Sequence, residues 1–215
     1  MGNAARPDWH AWHAPYDVPG SELHTRLHIV QRCVRDALDA APAGPIAVIS
    51  ACAGQGRDLI PVVAEHARRA DVIARLVELD PRNADIARAA AADAGLVPLT
   101  VVTGDAGTTS AYAGSVPANL VLFCGIWGNV TDADVEHSIG ALPTLCAPGA
   151  IVIWTRHRQP PDLTVSIRRW LDASGFTEVS FDAPDGMLVT VGAHRLDGPP
   201  APFRTDQRLF TFVDA

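Results

Sequence analysis

The sequence predicts an α/β fold built on a doubly wound, mostly parallel sheet that finishes in an antiparallel strand. Three observations carry this. Short apolar runs recur along the chain, at 46–50 (IAVIS), 72–79, 99–103, 119–124 (NLVLFC) and 150–155, each followed by a helical or loop stretch. Runs of that kind suit parallel strands covered on both faces, where alternation with polar residues is lost. A small-residue turn with Gly54 and Gly56 follows the first run and opens a helix. After Gly175 the alternation stops, and strand-like segments at 176–181, 187–194 and 208–213 succeed one another with only turn signals between them. Such a β-β ending is how an antiparallel strand joins a parallel sheet.

Taken in order, Ser21 is placed to cap a helix from Glu22 to Ala40, with Leu23, Leu27, Val30, Val34 and Leu38 along one face. Pro42, Gly44 and Pro45 end it. A helix is expected over 57–69 after the first strand, and another over 82–94 after the second. The latter has Asp80 as cap, Pro81 in its first turn and Gly95 as its stop. The third strand leads into the loop GDAGTTSAYAG, the fourth into a helix over 132–145, and the fifth into a helix over 162–174. Which late strand enters the sheet centrally stays open. The expected organisation is an N-terminal arm and cap helix over 1–40 and a nucleoside-binding domain over 41–215.

The arm is unlike a linker: Trp9, Trp12 and Tyr16 stand among histidines and prolines, and such rings are expected to fold over something. Across its 215 residues the chain carries a formal charge of −7 with a pI near 5.5, and it contains no lysine. That balance argues against a protein that grips nucleic-acid phosphates. Its four cysteines form no CxxC pair, and no apolar run reaches membrane-spanning length. A cytoplasmic protein without nucleic-acid or membrane partners is expected.

The stretch Pro45–Asp58, PIAVISACAGQGRD, is a strand, a glycine turn and a helix start, which together present backbone N–H groups to a ligand. Glu78 ends the second strand 22 residues after Gly56. An acid at about that distance takes ribose hydroxyls in nucleoside-binding sheets. The turn supplies only GxG, short of the three glycines that serve a dinucleotide's pyrophosphate.

Four segments in order then resemble the class I S-adenosylmethionine-dependent methyltransferases: VISACAGQGRD, LVELDPRNADIARAA, TGDAG and NLVLFCGIWGNVTD. The resemblance runs from about residue 20 to the end and implies a Rossmann-like, seven-stranded sheet. It also implies S-adenosyl-L-methionine as cofactor. By position, Ser50, Ala51, Cys52, Gly54 and Gly56 would lie along the methionine and ribose, with Glu78 and Leu79 at the ribose. Asp105 and Ala106 would meet the adenine, and Cys124 and Gly125 would border both cofactor and acceptor. The chain departs from the pattern at Ser50, where the family usually has an acid, and at Cys52, where it usually has glycine. The Asn-Pro-Pro-Tyr sequence of amino- and base-methylating enzymes is absent after strand four, and so are the acids of metal-dependent O-methyltransferases.

The implied reaction is in-line methyl transfer to a small molecule by a monomer or homodimer. A non-catalytic S-adenosylmethionine-binding protein and an NAD-linked oxidoreductase are the alternatives. Methyl transfer asks mainly for alignment, and a base serves only where the nucleophile sheds a proton. His157, directly after strand five, is the expected base. Asn129 and Trp127 after strand four, and Tyr16 and Trp12 in the arm, are the expected acceptor-side residues. His24 and His28 share a helix face at a metal-compatible spacing, but no third ligand accompanies them, and no metal is expected.

Overall fold

The computed structural model describes residues 8–213. Seven strands form one sheet: β1 (Ile46–Ala51), β2 (Val72–Glu78), β3 (Leu99–Thr103), β4 (Ala118–Phe123), β5 (Cys146–His157), β6 (Phe176–Asp182) and β7 (Val189–Leu196). Their spatial order is β3-β2-β1-β4-β5-β7-β6. The first five run parallel, whereas β7 is inserted antiparallel between β5 and β6. The strand left open by the sequence is therefore the one centred on Thr190–His194. Strand order reverses between β1 and β4, the crevice where open α/β sheets bind ligands beyond the carboxyl ends of their strands.

Helices cover both faces. On one side α1 (Glu22–Ala40), α2 (Ile60–Glu65) and α3 (Pro81–Asp93) bury Val30, Val34, Leu38, Val62, Val63 and Ala87 against Ile46, Val48, Leu76 and Leu122. On the other, α4 (Asp132–Ala141) and α5 (Thr164–Ala173) bury Val135, Ile139, Ile167 and Leu171 against Val121, Val152 and Trp154. Residues 22–40 thus belong to the packed core of the sheet. Ser21 caps α1 by accepting from the His24 N–H, and Asp80 caps α3 by accepting from the Arg82 N–H. Gly192 on β7 gives up its side chain to Trp154, whose indole fills the place a Cβ would take.

Three expectations change. The helix after the glycine turn spans only Ile60–Glu65, because Gly56 is left-handed (φ +70°) and Pro61 can enter a helix only in its first turn. It stops at His66, and Arg68 then ties this turn to the carbonyls of Ala41, Pro42 and Gly44. The helix expected over 132–145 gives way to a 3-10 turn at Leu142–Thr144, where Pro143 starts a new turn. Finally, 208–213 is not a strand of the sheet. It makes isolated bridges, Thr108 with Arg208 and Val130 with Phe212, and so crosses the carboxyl-end edge.

Candidate functional site

The turn after β1 is built from left-handed residues: Cys52 (φ +50°), Gly54 (φ +54°) and Gly56 (φ +70°). Such angles fold the chain back on itself and are costly for a residue with a side chain, as at Cys52. The turn is held by Ala53 N–H donating to the Val77 carbonyl (2.9 Å) and Gly56 N–H to the Ala53 carbonyl (2.9 Å). Glu78, only 7 % exposed, locks it from the side. Its Oε2 accepts from Gly54 N–H and its Oε1 from Asp80 N–H, both at 2.8 Å. Burial pushes the Glu78 carboxyl up and those two N–H groups pull it back. A carboxylate oxygen has lone pairs for more than one donor, so Glu78 keeps accepting capacity toward the cavity it lines.

That cavity, about 470 Å³, lies at the carboxyl ends of the strands. Its floor is the Cys52–Asp58 turn with Cys124 and Gly125; Glu78, Leu79, Asn83 and Asp105 form one side. Both ends of the chain supply the roof. From the N-terminal side, a 3-10 segment (Ala11–Asp17) brings in Trp12, His13 and Tyr16, and the turn before it brings in Trp9. From the C-terminal side come Arg208, Phe210 and Phe212, and the Trp9 and Phe212 rings meet edge-on at 5.9 Å. Ion pairs fasten the arm: Arg57 with Asp17 (2.5 Å) and Arg82 with Asp8 (2.8 Å). The tail is fastened by Leu209 N–H donating to the Gly107 carbonyl (2.8 Å) and by Arg208 with Asp105 Oδ2 (2.6 Å). The three ion pairs lie at the surface, where solvent screens them, so each contributes little.

Polar groups converge inside. The His13 Nδ1 lies 2.6 Å from the Trp9 carbonyl. A carbonyl can only accept, so Nδ1 carries the proton and Nε2 keeps its lone pair. That Nε2 sits over Gly54, in the space a Cβ there would need. Burial lowers the His13 pKa from its usual value, keeping the ring neutral. Tyr16 accepts from Arg26 Nη2, and burial raises its hydroxyl pKa. Asp58 is pushed up to about 6 by burial. Its Oδ1 and the Nδ2 of Asn83 are buried with no hydrogen-bond partner among the described residues, and both residues line this cavity. Unpaired buried polar atoms cost stability unless a ligand completes them.

The structure brings most of the expected cofactor residues together. Cys52, Gly54, Glu78, Leu79, Asp105, Cys124 and Gly125 line the cavity, as does Tyr16. Ser50, Ala51 and Ala106 do not; they are buried, and the Ala106 carbonyl accepts from the Tyr112 hydroxyl (2.7 Å). Gly56 faces away as well, and a Cβ there would strike Ile60. Neither His157 nor Asn129 reaches the cavity. His157 ends β5 beside Gly128 with its Nδ1 accepting from Gln159 N–H (3.3 Å). Asn129 donates from Nδ2 to the Gly125 carbonyl (2.8 Å), and its own carbonyl accepts from Val213 N–H. It holds the loop and tail in place. Trp127 is fully buried against Ser138, in the core.

His13, Arg26, Asp58, Asn83, Arg208 and Phe210 were missed. Asp58 and Asn83 stand inside the first two motif segments, and that position was the available signal. Arg208 and Phe210 carried none, because 208–213 reads as a strand. Among the described residues no group of three or more His, Cys, Asp or Glu side chains could hold a metal.

No protein-family model and no curated protein matches this chain. Solved structures do. An O-methyltransferase family protein from Burkholderia thailandensis superposes with a TM-score of 0.59 at 16 % identity, over 80 % of this chain and 57 % of that one. The CurJ carbon methyltransferase gives 0.69 at 15 % identity, over 87 % of this chain and 58 % of that one. The chain thus spans little more than half the length of either protein. Magnesium protoporphyrin IX methyltransferase from Synechocystis, with S-adenosylmethionine bound, gives 0.61 at 13 % identity, over 90 % and 99 %. The seven-stranded sheet with its inserted antiparallel strand is the fold of these methyltransferases.

Proposed function

We propose that this chain is an S-adenosylmethionine-dependent methyltransferase acting on a small molecule. One observation carries the reading: at the switch point of a methyltransferase fold, a glycine turn and the buried Glu78 face a cavity lined by two residues with unpartnered buried polar atoms, Asp58 Oδ1 and Asn83 Nδ2. The donor set fits the cofactor. Glu78 would take the ribose hydroxyls and Asp105 the adenine amino group, with the Cys52–Gly54 backbone along the chain between. A dinucleotide's pyrophosphate finds no third glycine here.

Bound S-adenosylmethionine supplies a methyl group already activated on a sulfonium. The chain's own contribution is alignment and exclusion of water. Trp9, Trp12, Tyr16 and Phe212 cover the cavity with apolar surface, and holding two reactants in line is worth roughly 7–11 kcal/mol. Where the acceptor must lose a proton, His13 Nε2 is the base, since its tautomer is fixed and its ring is neutral. A small acceptor suits a cavity of about 470 Å³ roofed by both chain ends, and the net charge of −7 disfavours a polyanionic one.

The test is transfer of labelled methyl from S-adenosylmethionine to a panel of small oxygen, nitrogen, carbon and sulfur nucleophiles. Labelled product from at least one class is expected. Tight cofactor binding with no transfer to any of them would make this a binding protein instead.

A further inference from the structure

Two opposite charges face the same end of the cavity and do not neutralise each other. Arg26 projects from α1, with its guanidinium over the rings of Trp12 (5.4 Å) and Tyr16 (5.5 Å) and a hydrogen bond to the Tyr16 hydroxyl. Among the described residues it makes no ion pair. Asp58 follows the glycine turn, with Oδ1 buried and unpartnered. Both residues line the cavity, yet they come no closer than the 4.0 Å that defines an ion pair. The nearby cation Arg57 is already spent, bidentate on Asp17 (2.5 and 3.1 Å) and bonded to Gln55 (2.8 Å).

A cation and an anion held apart across one cavity complement a ligand group that bears both charges. An α-amino-acid end is such a group: its carboxylate would meet the Arg26 fork and its ammonium the Asp58 carboxylate that lines the cavity. We infer that Arg26 and Asp58 form a clamp for the ionised amino-acid end of the cofactor, with Asp58 supplying the acid that the chain lacks at Ser50. This rests on the cofactor reading above and adds which residues hold that end. The titratable groups that face Asp58 are Arg26 from α1, Tyr16 from the arm and Cys124 from beyond β4; burial keeps the last two neutral, so only Arg26 carries a charge. Burial keeps the unliganded carboxyl partly protonated near pH 6, so an arriving ammonium finds an acid that still has ionisation to gain.

The test compares two neutral thioether nucleosides by calorimetry at pH 7.5. S-Adenosylhomocysteine carries the amino-acid end, and 5′-methylthioadenosine lacks it. The wild-type protein should bind the first at least about a hundredfold more tightly, as two charge-assisted hydrogen bonds imply. Asp58→Asn and Arg26→Gln should each cut that preference by about tenfold or more while leaving the affinity for 5′-methylthioadenosine within about twofold. Thermal melts confirm that each variant is folded, and removing the desolvated Asp58 carboxyl should raise the melting temperature. A preference unchanged in both folded variants overturns the clamp and leaves the cofactor site standing. Saturation by L-methionine alone at the same concentrations overturns it too, since the pair would then serve a free amino acid. Failure of the wild-type protein to bind either nucleoside removes the cofactor reading and the clamp with it.

Discussion

Replacing Glu78 with glutamine keeps the volume and shape of a side chain that has two jobs in this structure. Facing inward, its oxygens accept from the N–H groups of Gly54 and Asp80, both at 2.8 Å. An amide can accept through only one of its two ends, so one of these buried N–H groups loses its partner in Glu78→Gln. That costs about 1–3 kcal/mol, the lower end being expected because the neutral amide is spared the desolvation that raises the Glu78 pKa. For a chain of this size each 1 kcal/mol moves the melting temperature by about 2–4 °C, so a fall of a few degrees follows. Facing outward, the carboxylate is the proposed acceptor for the ribose hydroxyls. Hydrogen bonds to a charged group contribute about 1.5–3 kcal/mol each, and 1.4 kcal/mol is tenfold in affinity. Calorimetric titration of the folded variant with S-adenosylmethionine should therefore show affinity at least about tenfold below wild type. A variant that melts cooperatively and binds as tightly as wild type would refute the assignment of Glu78 to the ribose.

Other outcomes follow from the same geometry. Asp58 has a folded pKa of about 6 against roughly 3.9 when unfolded, so the folded state binds more protons between those values and its stability falls as pH rises from about 4 to 6. Asp58→Asn should thus be more stable than wild type by roughly 2–3 kcal/mol at pH 7, with the gap closing by pH 4; urea melts at both pH values check this, and a gap independent of pH counts against it. His13→Ala should lower turnover about 10²–10⁴-fold for an acceptor that sheds a proton, with cofactor affinity little changed, and normal turnover would remove the ring from the chemistry. Deleting residues 1–19 should leave cooperative unfolding of the sheet but cut turnover much more than stability, whereas loss of cooperativity would make the arm core packing. Gly56→Val should lower the melting temperature through its collision with Ile60, and a wild-type melt would show that the turn can yield there.

The sheet was legible because its strands are written in composition. IAVIS and NLVLFC lack polar residues at alternate positions, and only a strand covered on both faces tolerates that. The caps at Ser21 and Asp80 were legible for a local reason: each side chain bonds its own helix. The cavity-lining positions Cys52, Gly54, Glu78 and Leu79 were legible through their spacing. What escaped was tertiary. The segment 208–213 has strand composition, but its bonds go to Gly107 and Asn129 at the sheet's edge, and only the folded chain shows this. His157 ends a strand at the correct edge, yet β5 extends to that residue and its ring turns toward Gly128, away from the cavity. The histidine that does face the cavity, His13, lies 41 residues before Gly54 in the sequence, and no spacing rule joins them.

The central claim is that the cavity over the glycine turn holds S-adenosylmethionine, and the most direct test is equilibrium titration of the wild-type protein with that cofactor, with NAD alongside. The predicted result is saturable one-to-one binding of S-adenosylmethionine, weakened in Glu78→Gln, with no saturation by NAD. Saturation by NAD without S-adenosylmethionine, or binding of S-adenosylmethionine indifferent to Glu78, would contradict it.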